Sequence, residues 1–150
     1  MKKIILLPLF LTCASANAVP NIWELLVLQG YEQYSIQDSQ ERTLLISCAY
    51  DAGEDSDHSA IFIAKNKEYT NSQSKQPLTF LLDGKKSVTP PDSTNWHGGD
   101  RDWNNFTDGM SKAKKIDVYI NNKKVTTFMP NKSSINEVAR GMANCTGKLS

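Results

Sequence analysis

Lys115-Ile116-Asp117-Val118-Tyr119-Ile120, followed by Asn121-Asn122-Lys123-Lys124 and Val125-Thr126-Thr127-Phe128, is the stretch that decides the fold class. Its first part alternates apolar and polar residues with the period of two that a half-buried strand requires. Its centre is a polar turn, and its last part returns as a second strand, so the unit reads as an antiparallel hairpin. On the N-terminal side, Trp103, Phe106, Met110 and Ala113 recur at spacings of three and four, which places them on one face of a helix that Gly109 weakens. On the C-terminal side, Ser134 and Glu137 have the form of a capping box. Ile135, Val138, Ala139, Met142 and Cys145 then fall on one stripe, so a last helix is expected to carry Cys145 on its buried face.

Further upstream, Leu78-Thr79-Phe80-Leu81-Leu82 ends in Asp83-Gly84 and reads as a strand with a turn signal; its apolar run predicts burial on both faces. The runs Ile22 to Leu28, Thr43 to Cys48 and Ala60 to Ala64 predict three more strands. The first two are expected to pair with each other across the polar segment 29–41, read as a turn and solvated connection. The second and third are expected to form a hairpin across the acidic loop Asp51 to His58. Residues 87–102, broken by Pro90-Pro91 and carrying Trp96-His97-Gly98-Gly99-Asp100, predict a long irregular loop, and long loops are often functional. The fold expected is a single α+β domain, mainly an antiparallel sheet or sandwich of about six strands with two packing helices.

The compartment follows from the N-terminus. Met1-Lys2-Lys3 is basic, Ile4 to Thr12 is almost unbroken apolar sequence, and Ala16-Asn17-Ala18 has the small-x-small form of a cleavage site, so residues 1–18 read as a signal peptide. Lipidation at Cys13 is disfavoured because Phe10-Leu11-Thr12 offers no small residue before it. Removing 18 of the 150 residues leaves 132, enough for one core, so residues 19–150 are expected to form a single periplasmic domain. Losing Lys2 and Lys3 leaves 15 basic against 16 acidic residues, a balance that implies neither nucleic acid nor an anionic membrane as partner, and no later run is long enough to span a bilayer. Cys48 and Cys145 remain, an even pair in an oxidising compartment, and a disulfide between them is expected.

Candidate chemistry is sparse. Nucleophilic hydrolysis needs a base beside an activated Ser or Cys; the only histidines are His58 and His97, and neither lies in a triad motif. His97-Gly98-Gly99 is reminiscent of an esterase oxyanion loop, but no Gly-x-Ser-x-Gly elbow accompanies it. Asp83, Asp100, Asp102 and Asp108 could pair for acid–base work only if the fold brings two together. Asp51, Glu54, Asp55, Asp57 and His58 crowd hard oxygen ligands with an imidazole, but without the EF-hand spacing. No metal and no cofactor are therefore expected. Lys112, Lys114, Lys115, Lys123 and Lys124 lack interleaved stacking aromatics and read as edge-strand lysines that discourage aggregation. Trp96 stands in a polar loop, where a tryptophan serves as an interface anchor, with His97, Asp100 and Arg101 as its polar rim.

Trp23, Leu44-Leu45-Ile46-Ser47-Cys48, Phe80-Leu81-Leu82-Asp83, Phe106, Ile116-Asp117-Val118-Tyr119, Phe128 and Cys145 together form an order of features that resembles small exported proteins of the type VI secretion-associated VasI/TagO kind and, less closely, the invasion-associated locus B family. The resemblance implies a compact β-rich periplasmic fold and carries over no catalytic residue; the acidic loop and the Trp96 loop have no counterpart in it.

The function expected is non-enzymatic binding of a protein partner in the periplasm, as an accessory protein of an envelope or secretion system. The alternative is an immunity or inhibitor protein that neutralises an exported toxin or cell-wall hydrolase, which would be favoured if the acidic loop and the Trp96 loop converge on one face. A small hydrolase is the third reading, and it requires His58 or His97 to meet a nucleophile.

Overall fold

The computed structural model describes residues 18–53, 56–73 and 75–147; the expected signal peptide up to residue 17, Cys13, and Glu54 and Asp55 of the acidic loop lie outside the described residues. Among those described, nine strands form two antiparallel sheets accompanied by two helices, an α+β architecture. The first sheet is a meander of β1 (Glu24–Leu28), β2 (Tyr31–Gln37), β3 (Thr43–Ala49), β4 (Ser59–Ala64) and β5 (Lys67–Thr70). The second contains β6 (Leu78–Leu82), β7 (Lys86–Val88), β8 (Ile116–Ile120) and β9 (Lys123–Phe128), in the spatial order β7-β6-β8-β9. Helix α1 (His97–Met110) connects β7 to β8, and α2 (Lys132–Ala143) follows β9.

The expected β8–β9 hairpin is present and closes through Asn121-Asn122, both at positive φ, the geometry of a type I′ turn. Three strands were not anticipated, and each follows a short turn. Gln29-Gly30 closes β1 onto β2 with φ of 50° and 81°, and Lys65-Asn66 closes β4 onto β5. The Asp83-Gly84 turn leads into β7. Segment 29–41 is therefore not a solvated connection: Tyr34 and Ile36 point into the core while Gln33 and Ser35 alternate outward, and β2 inserts between the two strands expected to pair. β1 and β3 each pair with β2 instead.

The inner face of the first sheet is built from register-matched residues: Ile36, Leu44, Phe62 and Tyr69 in one row, and Tyr34, Ile46 and Ala60 in the next. In the second sheet Leu78, Phe80 and Leu82 face Ile120, Val118 and Ile116. Thr79 and Leu81 are only half-buried, so β6 buries one face and not both. Phe62 meets Phe128 edge-on at 6.5 Å across the two sheets, and Phe106 of α1 packs against Phe80 at 5.5 Å. One continuous hydrophobic core results.

Polar groups fasten the same layers. Asp38, in the β2–β3 turn, accepts from the Arg42 Nε–H (2.6 Å), the Thr126 hydroxyl on β9 (2.7 Å) and the backbone N–H groups of Gln40 and Arg42. Arg42 Nη1 in turn donates to the Val125 carbonyl at 2.8 Å. Burial alone would push the Asp38 carboxyl up, but these donors outweigh it and hold its pKa below the usual carboxylate value. The sheets are thus joined by hydrogen bonds from a partly buried ion pair as well as by side-chain packing.

The last helix begins elsewhere than the capping-box pattern implied. Asn131 is the N-cap, its side chain accepting from the Ser133 N–H at 2.7 Å, while the Ser134 hydroxyl turns back to the Asn131 carbonyl. Cys145 lies two residues beyond the helix end, fully buried, and is bonded to Cys48 of β3. The bridge spans 97 residues, for which chain entropy alone credits about 4–5 kcal/mol. Cys48→Ser is expected to lower the thermal midpoint by about 10–20 °C and to leave Cys145 open to thiol reagents, whereas the wild-type chain freed of residues 1–18 labels nowhere. Two reactive thiols in the folded wild type would contradict the bridge.

Candidate functional site

Residues 89–96 carry the chain from β7 to α1, and their end is where local structure departs from what stability alone would choose. The N-cap of α1 is Trp96, in an extended conformation and with no side-chain hydrogen bond to the helix, although Ser, Thr, Asp and Asn are the residues that cap well. Its carbonyl accepts the first helical bond from the Asp100 N–H at 2.9 Å. His97-Gly98-Gly99-Asp100, expected as turn residues, instead form the first turn of α1. Gly98 and Gly99 serve close approach: a Cβ on Gly98 would run into the six-membered ring of Trp96, and one on Gly99 into the Ser93 carbonyl oxygen. One face of the indole therefore lies over the backbone of the first turn while Trp96 remains 57 % exposed.

The acidic loop is tied to this segment by Asp57. Its carboxylate accepts from the Thr94 hydroxyl and from the Thr94 N–H at 2.9 Å, across 37 residues of sequence. Burial would raise the pKa of Asp57, but hydrogen bonds from Ser93, from Thr94 and from the His58 N–H outweigh it and hold the carboxyl below its ordinary value. The next residue secures the other side. His58 Nδ1 accepts from the Ala49 N–H at 2.9 Å, which fixes the tautomer, so Nε2–H donates to the Thr146 carbonyl at 2.8 Å. Its ring stacks on Trp103 of α1 at 5.3 Å. Trp103 Nε1–H donates to the Cys145 carbonyl at 3.0 Å, and the Thr107 hydroxyl, 3.1 Å from the Trp103 carbonyl of its own helix, lies 3.3 Å from the same Cys145 oxygen. The disulfide, the C-terminal tail, α1 and the end of the acidic loop form one clasp beneath the Trp96 segment.

Of the four residues expected to form the binding face, three are presented together. Trp96 is exposed, as are His97 and Arg101 on the first two turns of α1, with Arg101 Nε 3.4 Å from Asp102. Asp100 departs from that expectation: it is 4 % exposed and turned inward, where a Cβ on Gly147 would meet its carboxylate. Position in the first helical turn put it on the buried side. Asp92 and Asp102 are exposed carboxylates of this segment and of the helix start, Asp102 paired with Arg101, so the aromatic face is edged by charges of both signs. Asp57, Ser93 and Thr94 were missed as organising residues because nothing local in the sequence relates positions 57 and 94.

The other candidates are committed elsewhere. Asp57 and His58, two of the five prospective metal ligands, are engaged by the contacts above, and among the described residues no three His, Cys, Asp or Glu side chains converge as a metal site. Asp83 accepts from the Lys114 and Lys115 N–H groups, Asp108 pairs with Lys112 and Asp102 with Arg101, so these carboxylates meet different partners. Lys115 and Lys124 flank the buried Asp117 of β8 at 3.3 and 2.7 Å; burial pushes that carboxyl up, and the two ammonium groups with Thr127 bring it below its usual value. Among the described residues no helix is long and apolar enough to cross a membrane.

Comparison with known proteins places this architecture in a family. The family model YfjT matches residues 21–138, from ahead of β1 into α2. The uncharacterized protein YfjT of Escherichia coli (strain K12) is 30 % identical over 135 residues, 88 % of this chain and 86 % of that one. The uncharacterized protein YkfB of the same strain is 25 % identical over 149 residues, covering 97 % and 96 % of the two chains. No solved structure matches the chain.

Because folding lowers the pKa of Asp57, its contribution to stability is present above the ordinary carboxylate range, near about 4, and is lost as the pH falls through the lower folded value. The gap in thermal midpoint between wild type and Asp57→Asn is therefore expected to be widest near neutrality and to narrow below pH ~4. A gap unchanged from neutral to strongly acid solution would contradict the assigned role.

Proposed function

The chain belongs to the YfjT family, and we propose that this member is an exported, non-enzymatic binding protein whose Trp96 face captures a protein partner. The observation that carries the reading is the bond network of Asp57, which holds the acidic loop against the segment leading into Trp96. An exposed tryptophan at a helix N-cap, given no capping function and packed over two glycines, is a local sacrifice of stability of the kind found at recognition sites. Tryptophan is also the side chain most often found at the energetic centre of an interface.

Between the two binding roles, convergence of the loops favours an immunity or inhibitor protein over an accessory component. An aromatic centre beside Asp92, tied through Asp57 to a loop whose sequence is acidic, complements a cationic surface, and toxins and wall hydrolases that work on anionic polymers present such surfaces. The hydrolase reading loses its His58 form because both ring nitrogens of His58 serve the fold, which leaves exposed His97 as the histidine it would need. Compartment and partner class rest on the N-terminal signal pattern together with the buried cystine.

Crosslinking capture from periplasmic and secreted fractions, read by mass spectrometry, tests the proposal. Wild type is expected to retain a basic toxin or hydrolase, and Trp96→Ala to reduce its recovery by tenfold or more, the effect of losing a central anchor. Recovery of envelope-machine components instead would favour the accessory role; capture indifferent to Trp96 would overturn the assigned face.

A further inference from the structure

Four strands form the edges of the two sheets, and three of them carry the lysines that discourage edge-to-edge pairing: Lys67 on β5, Lys86 on β7, and Lys123 and Lys124 on β9. β1 is the exception. Its sequence is Glu24-Leu25-Leu26-Val27-Leu28, without lysine or proline, and Leu25, Leu26, Val27 and Leu28 are 50–65 % exposed. Leu25 and Val27 extend the inner face of the sheet and Leu26 and Leu28 its outer face, so the bare edge is apolar on both sides.

We infer that β1 is the interface of a homodimer, in which two copies of the strand pair antiparallel about a two-fold axis at Leu26. The register follows from the β1–β2 turn. In a two-residue type I′ hairpin the closing pair, Leu28 with Tyr31, is hydrogen-bonded, so the backbone groups of Glu24, Leu26 and Leu28 face β2 while those of Leu25 and Val27 face outward. Pairing Leu25 with Val27 of the second copy satisfies those outward groups in both directions and places Leu26 opposite itself in a non-hydrogen-bonded pair. Glu24, the one charge in the strand, then lies opposite Leu28, so no like charges meet.

Size agrees with a small interface of that kind. Four half-exposed aliphatic residues leave on the order of 400 Å² of apolar surface per copy, the scale of the largest patch on a soluble monomer, which is often functional. The two strands together bring about 800 Å² into the contact, the size of a weak, concentration-dependent association. The joined sheet would run continuously through ten strands and leave β5 at both ends.

Light scattering coupled to size exclusion, on the protein as its host processes it, at roughly 10–100 µM, is expected to give twice the chain mass, within the affinity range of an interface at the small end. Leu26→Lys, an exposed substitution, is expected to give the single-chain mass with unchanged circular dichroism. Leu26→Cys is expected to form a covalent dimer by air oxidation, since opposed non-hydrogen-bonded positions suit disulfide geometry, whereas a cysteine at the Asn122 turn tip is not. A monomeric wild type at the highest concentration, a Leu26→Lys variant that stays dimeric, or a Leu26→Cys variant that links no better than the Asn122 control would each overturn the dimer. Capture of a foreign strand at β1 by a monomeric wild type would do so too.

Discussion

The bond between Cys48 and Cys145 is the constraint on which the rest of the structure depends, because it fixes the end of the chain to the middle of the first sheet. The backbone next to that bond is then used repeatedly. The Cys145 carbonyl receives the Trp103 indole N–H, and the Thr146 carbonyl receives His58. Helix α1 is held by the tail as much as by its own apolar face, and the start of β4 is held by the same tail through His58. In a domain of this size the net stability is a small difference between large terms, so one covalent tie carrying several buried hydrogen bonds decides whether these elements stay assembled.

The proposed recognition face is built on top of that clasp. Trp103 anchors the middle of α1 from beneath, and Asp57 anchors the preceding segment from the side, so Trp96 is presented by a supported backbone although its side chain is more than half exposed. Preorganisation of this kind lowers the entropy lost when a partner orders the contact. The network is also satisfied: among the described residues no buried side-chain nitrogen or oxygen lacks a hydrogen-bond partner. Ser93, Thr94, Asp57 and His58 stabilise this geometry through their hydrogen bonds.

The sequence made some of this legible and hid the rest for identifiable reasons. The β8–β9 hairpin, the apolar face of α1 and the Cys48–Cys145 pairing could be read because their signals are periodic or compositional. β2 was hidden because its outward positions are Gln33 and Ser35 and its inward ones only Tyr34 and Ile36, too weak an alternation to overcome the turn-forming composition around it. β5 and β7 were hidden by brevity and by the lysines that protect them as edges. Trp96 was visible as an exposed aromatic, but its setting was not: the His97-Gly98-Gly99 run reads as turn chemistry until the glycines are seen to admit the indole and the Ser93 carbonyl. Asp100 was misplaced with it, since only the helical start shows that it points inward. The link from Asp57 to Thr94 is long-range and left no mark in either local segment.

The acidic loop and the Trp96 segment are proposed to act as one binding face. Site-specific photocrosslinking in living cells, with a photoreactive residue placed in turn at Ser56 beside Asp57, at His97 and at Lys123 on the β8–β9 hairpin, tests this most directly. One and the same basic protein is expected to be trapped from Ser56 and from His97 and not from Lys123. Different proteins trapped at Ser56 and His97, or equal trapping from all three positions, would contradict it.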